Sequence, residues 1–144
     1  MKSFPAPVIF LMSLLALWGC TPMKSKQELQ NLEPSVIQYY EQLKWYRATL
    51  AKDYVVPAQR PKFLDDVDEA SQKMKISYIN VIRITPFEKN KKAAVRLRVV
   101  WHVVDEGIVH ETVVEDTWKR FKNTWLKVSS KIIKGKKLPY IFKP

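Results

Sequence analysis

The chain has 144 residues, with 25 Lys and Arg against 14 Asp and Glu, a formal net charge of +11. One cysteine excludes an internal disulfide framework, and three glycines leave no glycine-rich loop to cradle a nucleotide phosphate. No serine elbow and no cysteine nucleophile in a catalytic pattern is present. The chain opens with Lys2 and an apolar run, Val8 to Met12 and then Leu14 to Trp18, closed by the small residue Gly19 and by Cys20. A basic start, an apolar middle and a small residue before the cut form the layout of a secretory signal. Pro5 and Pro7 interrupt its front, and the remaining Val8 to Gly19 falls short of the roughly 20 apolar residues that span a bilayer.

The segment Leu17-Trp18-Gly19-Cys20 resembles the lipobox of bacterial lipoproteins. The resemblance implies that residues 1–19 are a signal peptide, that the thiol of Cys20 is joined to diacylglycerol, and that Cys20 becomes the first mature residue. A single acyl chain binds a membrane only reversibly, so the two or three chains (palmitate or similar) carried by such a cysteine make attachment effectively permanent. Thr21 and Pro22 follow the cysteine where retained lipoproteins carry Asp. The resemblance therefore implies the cell envelope, and the outer membrane facing the periplasm if the source is diderm.

Residues 20–33 read as the lipidated cysteine and a polar tether. Pro34 suits a first helical turn. Val36, Tyr39, Tyr40, Leu43, Tyr46, Arg47 and Leu50 recur at three- and four-residue spacing, which predicts a helix over 35–52 with Val36, Tyr40, Leu43 and Leu50 against a sheet. Lys52-Asp53-Tyr54 ends it, Asp53 serving as a cap or turn, and Pro57 and Pro61 break the next stretch into short pieces. A second helix is expected over 62–73 with Phe63, Leu64 and Val67 inward. Asp65, Asp66, Asp68 and Glu69 would then form a solvated face, since their spacing fits no calcium loop. From residue 76 the period becomes two. Strands are expected at 76–85, 95–104, 108–121 and 125–133, joined by turns at 86–92, at Asp105-Glu106-Gly107 and at Lys122-Asn123-Thr124.

Leu50-Ala51-Lys52-Asp53-Tyr54 and the run Thr117-Trp118-Lys119-Arg120-Phe121-Lys122-Asn123-Thr124-Trp125-Leu126-Lys127-Val128 resemble the first helix-to-helix turn and the final tryptophan-bearing strands of nuclear transport factor 2-like proteins. The resemblance covers about residues 35–133. It implies an α+β class in which N-terminal helices pack on a curved antiparallel sheet, a cone enclosing a pocket. The domain would be 34–133, followed by a basic tail, 134–144. Pocket candidates are Tyr40, Tyr78, Trp101, His102, His110 and Trp118. His102 and His110 lie on strands joined by the 105–107 turn, and facing each other they would suit a metal or acid–base work. There is no third ligand at metal spacing, so the reading assigns no metal, no cofactor and no catalytic residue, and two part-exposed strand histidines are the simpler account.

After Asp116 the chain has no acid, only Lys119, Arg120, Lys122, Lys127, Lys131, Lys134, Lys136, Lys137 and Lys143. The basic surface is assigned to Lys134, Lys136 and Lys137, next to the apolar Leu138, Tyr140, Ile141 and Phe142. In an exported lipoprotein such a surface meets anionic lipid, lipopolysaccharide or cell-wall polymer rather than nucleic acid. The expected function is a membrane-anchored envelope lipoprotein acting as a non-catalytic binding or assembly module. The alternative is a small-molecule carrier or enzyme using the cone pocket, with His102 or Tyr78 as acid or base. Expected partners are the membrane, through the acyl chains on Cys20, and an anionic envelope polymer or envelope protein. A homodimer through the sheet face stays open.

Overall fold

The computed structural model describes residues 29–138. The signal, Cys20, the tether up to 28 and the tail from 139 lie outside the described residues. Helix α1, Leu32–Lys44, carries Glu33 in its first turn and Lys44 in its last, each complementing the helix dipole. Leu32, Val36, Tyr39, Tyr40 and Leu43 form its buried stripe. Leu32, expected in the tether, is fully buried, and Leu29 packs against the same core.

The helix expected over 35–52 is two pieces. Tyr46 adopts φ +53°, a left-handed conformation that ends a helix, and its hydroxyl donates to the Met74 carbonyl. The chain resumes as α2, Ala48–Ala51, and continues through 3₁₀ turns at Lys52–Tyr54 and Pro57–Gln59. The break rotates Leu50 out of the α1 stripe, so that it is 50% exposed rather than packed on the sheet. Helix α3, Arg60–Lys73, has Pro61 in its first turn and buries Phe63, Val67 and Ala70. Leu64 is only half-buried. The acidic face is solvated and laced by i,i+4 pairs, Lys62–Asp66 at 2.7 Å and Lys73–Glu69 at 2.8 Å.

Four strands follow, β1 Met74–Phe87, β2 Lys92–Val103, β3 Val109–Phe121 and β4 Thr124–Gly135. They pair in the order β1-β2-β3-β4, every neighbour antiparallel. The fold is α+β: three helices followed by a curved four-stranded antiparallel sheet. Strand alternation puts Ala93, Val95, Leu97, Val99 and Trp101 of β2 and Thr112, Val114, Asp116 and Trp118 of β3 on the buried inner face under the helices. The outer face is polar, held by Arg96–Glu115 at 2.7 Å, Lys131–Glu115 at 2.7 Å and Arg98–Glu111 at 3.3 Å. The two cations hold the Glu115 carboxyl below the usual carboxylate range, chiefly through the hydrogen bonds from Lys131 and Arg96.

The start of the expected basic tail belongs to the domain. Lys134 is in β4, opposite Val113. The Thr112 hydroxyl accepts from Trp101 Nε1 at 3.0 Å and donates to the Lys136 carbonyl at 2.6 Å. Leu138 is fully buried. No helix among the described residues is long and apolar enough to cross a membrane.

Candidate functional site

Asp116 sits in phase between Val114 and Trp118 on the inner face of β3 and is fully buried. A buried carboxylate requires hydrogen bonds and a counter-charge. Tyr40 of α1 donates to its Oδ2 at 2.5 Å, Ser130 of β4 donates to its Oδ1 at 2.5 Å, and Lys127 Nζ stands 3.9 Å from Oδ1. A register slip between Thr117 and Trp118, where Val128 is the extra residue of β4, lets both Lys127 and Ser130 face inward. Burial pushes the Asp116 carboxyl up, opposed by the Lys127 charge and by the bonds from Ser130 and Tyr40. Burial pushes the Lys127 ammonium down, opposed by Asp116. Tyr39 and Tyr40 are both pushed well up, first by burial and then by the Asp116 charge.

A cleft of about 170 Å³ opens beside this group, between the start of α3 and the β4 edge. Tyr39, Val55 and Phe63 line its apolar side, with Lys127 and Ser130 also in its wall and Lys62 and Asp66 among its polar groups. Its frame is fixed. Val55 bridges Lys127 in parallel, the Val56 amide donates to the Lys127 carbonyl at 3.3 Å, and Gln59 Nε2 donates to the Val128 carbonyl at 3.0 Å. Tyr39 is the centre of an aromatic group, with ring centroids 4.9 Å from Tyr40, 6.1 Å from Phe63 and 5.7 Å from Trp118. Lys127 Nζ lies 5.3 Å from its ring centroid. The Tyr39 hydroxyl is buried and has no hydrogen-bond partner among the described residues. A second cavity, about 260 Å³, lies between α1 and the β1–β2 pair, lined by Val36, Ile37, Tyr40, Ile79, Val81 and Leu97 among others.

The residues singled out from sequence scatter. Tyr40 reaches both the Asp116 group and the second cavity. Trp101 and Trp118 are fully buried core and line neither cavity. Tyr78 is on the outer face, 55% exposed. A register shift between Ile76 and Tyr78 places two β1 residues against one of β2, and the bulge flips the phase that would have sent Tyr78 inward. His102 and His110 do not face each other. The register pairs Trp101 with His110 and His102 with Val109, so the two histidines are one position out of step and point to opposite faces. His102 Nδ1 is 3.4 Å from the Ser77 hydroxyl, while the His110 ring lies 4.8 Å from Trp101, tilted at 45°, and its Nε2 is 3.2 Å from Lys136 Nζ. Among the described residues no group of three His, Cys, Asp or Glu is placed to hold a metal. Lys134, Lys136 and Lys137 are exposed, and Lys136 Nζ is 3.7 Å from Glu106.

The largest cationic grouping is at the other end of the sheet. The β1–β2 turn carries Glu88, Lys89 and Asn90 at φ +49°, +53° and +61° and is docked on β3 by Arg120 N–H donating to the Lys91 carbonyl at 2.9 Å. Lys92 pairs with Lys119, and Lys122 occupies the adjacent β3–β4 turn. Lys89, Lys91, Lys92, Lys119, Arg120 and Lys122 thus share one end with two exposed rings, Phe87 and Phe121. Lys119 Nζ lies 5.2 Å from the Phe121 centroid, and Glu88 pairs with Lys92 at 2.8 Å. The sequence signal was the basic tip at residues 89–92, but its union with 119–122 depends on strand register.

Neither a protein-family model nor a curated protein matches the chain. Solved structures match its fold. A SEC-C motif containing protein from Rhodopseudomonas palustris gives a TM-score of 0.57 at 9% identity, covering 66% of this chain and 73% of that one. The intermembrane space region of the chloroplast protein ARC6 gives 0.54 at 11% identity, covering 72% and 94%. A conserved protein from Planctomyces limnophilus gives 0.55 at 12% identity, covering 74% and 98%. At such identities the likeness is one of fold alone.

Proposed function

We propose that this chain is a lipid-anchored, non-catalytic binding module of the bacterial cell envelope. In this reading it is attached through acyl chains on Cys20, its α+β domain is a nuclear transport factor 2-like cone, and the basic end of the sheet rests on an anionic, phosphate-bearing envelope surface. The anchor reading is supported by the lipobox-like Leu17-Trp18-Gly19-Cys20, and the cone reading by three helices followed by a curved four-stranded antiparallel sheet with one buried face. The observation that carries the binding reading is the convergence of Lys89, Lys91, Lys92, Lys119, Arg120 and Lys122 beside Phe87 and Phe121, with Glu88 as the one acid of that turn. A cation near an anionic lipid surface gains about 1 kcal/mol, and the exposed rings add apolar contact at the headgroup level. The anchor raises the effective concentration of that end at the membrane, so a modest intrinsic affinity suffices.

The test uses residues 21–144, which carry neither the apolar signal nor Cys20, sedimented with vesicles of phosphatidylethanolamine and phosphatidylglycerol. Vesicles of phosphatidylcholine alone are the control. Binding to the anionic vesicles is expected. Losing two attractions of about 1 kcal/mol each, with the repulsion of two new acids added, makes Lys89→Glu with Lys91→Glu weaker by at least roughly 30-fold. Lys136→Glu with Lys137→Glu should weaken it less. Equal binding to both vesicle types refutes the basic end as the contact, and a larger loss from the Lys136 and Lys137 pair moves the contact to the C-terminal residues. Intact mass of the membrane-extracted wild-type chain tests the anchor: a product still carrying residues 1–19 refutes it.

A further inference from the structure

We infer that the outer face of the sheet is a docking track for a linear envelope polymer of polyol phosphate, of the poly(glycerol phosphate) kind. The envelope setting rests on the proposed function, but the surface is not the basic end. Residues directly opposite one another in an antiparallel sheet share a face, so register assembles the track. Arg83, Arg96, Glu115 and Lys131 form one row from β1 to β4, and Asn80, Arg98, Val113 and Lys134 form the next. Both rows lie on the side away from the helices. The side chains of Arg96, Arg98 and Lys131 are 42%, 48% and 66% exposed, and Arg83 and Lys134 are exposed as well. Five cations thus meet one acid in two adjacent rows. Arg96 holds Glu115 Oε2 through Nε at 3.2 Å and Nη2 at 2.7 Å, and Lys131 holds Oε1 at 2.7 Å. The carboxylate fixes both cations in place and leaves the trio with one net positive charge. Glu111, a row further on, takes Arg98 at 3.3 Å. Arg83 and Lys134 have no acid at ion-pair distance among the described residues.

Side-chain chemistry selects the occupant. Three of the chain's six arginines stand in these rows, and the guanidinium fork matches a phosphate where an ammonium offers only a point charge. A folded protein partner is disfavoured, since interface cores are apolar, aromatic and poor in charge, and Val113 is the one apolar side chain of the eight. A bilayer resting on the basic end does not use this surface. Arg96 is four residues from Lys92, about 14 Å along the strand, which exceeds the Debye length of roughly 8 Å at physiological salt. A base-bearing strand is disfavoured too, because it binds by stacking successive bases on aromatic platforms. No Phe, Tyr or Trp takes an outward position between Lys92 and His102 of β2 or between Val109 and Lys119 of β3, and Tyr78 is a single ring on the edge strand. A polyol phosphate chain needs no platform, and it gains by releasing a counterion at each phosphate the track neutralises.

The experiment titrates residues 21–144, which contain every described element, with soluble poly(glycerol phosphate), oligothymidylate and poly-glutamate. Affinity is measured against salt while the arginine Nε–H resonances are followed. Saturable shifts at Arg83, Arg96 and Arg98 are expected with poly(glycerol phosphate), with oligothymidylate binding no tighter and poly-glutamate weaker. Arg83→Gln with Arg98→Gln removes two phosphate contacts. At about 0.7 per contact, the slope of log affinity against log salt should shrink by about 1.4, roughly 25-fold in affinity at about 0.1 M salt against a reference of about 1 M. Lys44→Gln with Lys52→Gln makes the same charge change on the helical side and should alter affinity little. Equal losses from the two pairs would show net charge acting alone and overturn the track, as would absence of the arginine shifts, tighter oligothymidylate, or poly-glutamate binding equally well. Vesicle binding separates this inference from the reading of the basic end. Loss of vesicle binding in Arg83→Gln with Arg98→Gln would make a bilayer the occupant and overturn the track. Vesicle binding without polymer binding overturns the track alone, and polymer binding without vesicle binding upholds it while refuting the basic end.

Discussion

Tyr39 and Tyr40 are neighbours in α1, both buried, with rings in edge contact at 4.9 Å, yet removing their hydroxyls should have opposite effects. The Tyr39 oxygen is buried without a partner among the described residues, and such a group costs about 1–3 kcal/mol of unrecovered desolvation. Tyr39→Phe removes that cost together with a few dispersion contacts, for a net stabilisation of about 1 kcal/mol. In a domain of this size that raises Tm by roughly 4 °C. The Tyr40 oxygen donates to Asp116 at 2.5 Å. Tyr40→Phe breaks a bond to a buried acid, worth about 1.5–3 kcal/mol, while Ser130 and Lys127 still hold the carboxyl. The two substitutions, each deleting one phenolic oxygen, should therefore differ by about 3 kcal/mol. Urea denaturation of residues 20–144 reads this as midpoints displaced in opposite directions at constant m. A Tyr39→Phe midpoint displaced downward by as much as Tyr40→Phe would show that the Tyr39 hydroxyl is bonded.

Stability should respond to the Asp116–Lys127 pair in two pH windows. The folded-state pKa of Asp116 is raised, so between the ordinary carboxylate value and that raised value the folded chain holds a proton the unfolded chain releases, and stability falls as pH rises. Lys127 is lowered, so between its folded-state value and the ordinary lysine value the unfolded chain binds more protons, and stability rises with pH. Urea midpoints across pH should lose the acid-side slope in Asp116→Asn and the alkaline-side slope in Lys127→Met; slopes retained in both variants would place the titration elsewhere. Two glycines make a contrasting pair. At Gly135, φ +98°, an added Cβ would collide with the Glu111 carbonyl oxygen and lie 2.9 Å from Thr112 Cα, and Gly135→Ala should cost about 3 kcal/mol or more through displaced backbone. Gly107, φ +63°, has nothing within 4 Å of such a Cβ, so Gly107→Ala should cost only the left-handed backbone penalty, about 1 kcal/mol. Equal losses of Tm would refute the steric account.

The α+β order of elements was legible because it depends on periods. Val36, Tyr40 and Leu43 repeat as a helix must, and Val95, Leu97, Val99 and Trp101 as a strand must. The failures lie where the period slips. Tyr46 in a left-handed turn divides the helix and exposes Leu50, and no glycine marks the position. The bulge after Ile76 turns Tyr78 outward. His102 and His110 are one register step apart, which no single strand can reveal. Asp116 was different, since an acid at the apolar phase of Val114 and Trp118 is visible in the sequence as an inward charge. What its strand could not supply was the partner.

That partner exists because of the bulge at Val128. Strict alternation along β4 from Lys127 would face Ser129 and Lys131 inward, carrying a second lysine under the helices, where a buried ammonium needs a counter-charge. The extra residue rephases the strand, so that Ser130 turns in to bond Asp116 at 2.5 Å and Lys131 turns out to meet Glu115 at 2.7 Å. One inserted position thereby matches two lysines to two acids on opposite faces. It also brings Lys127 and Ser130 together in the wall of the cleft, beside the one tyrosine of the pair whose hydroxyl Asp116 does not take.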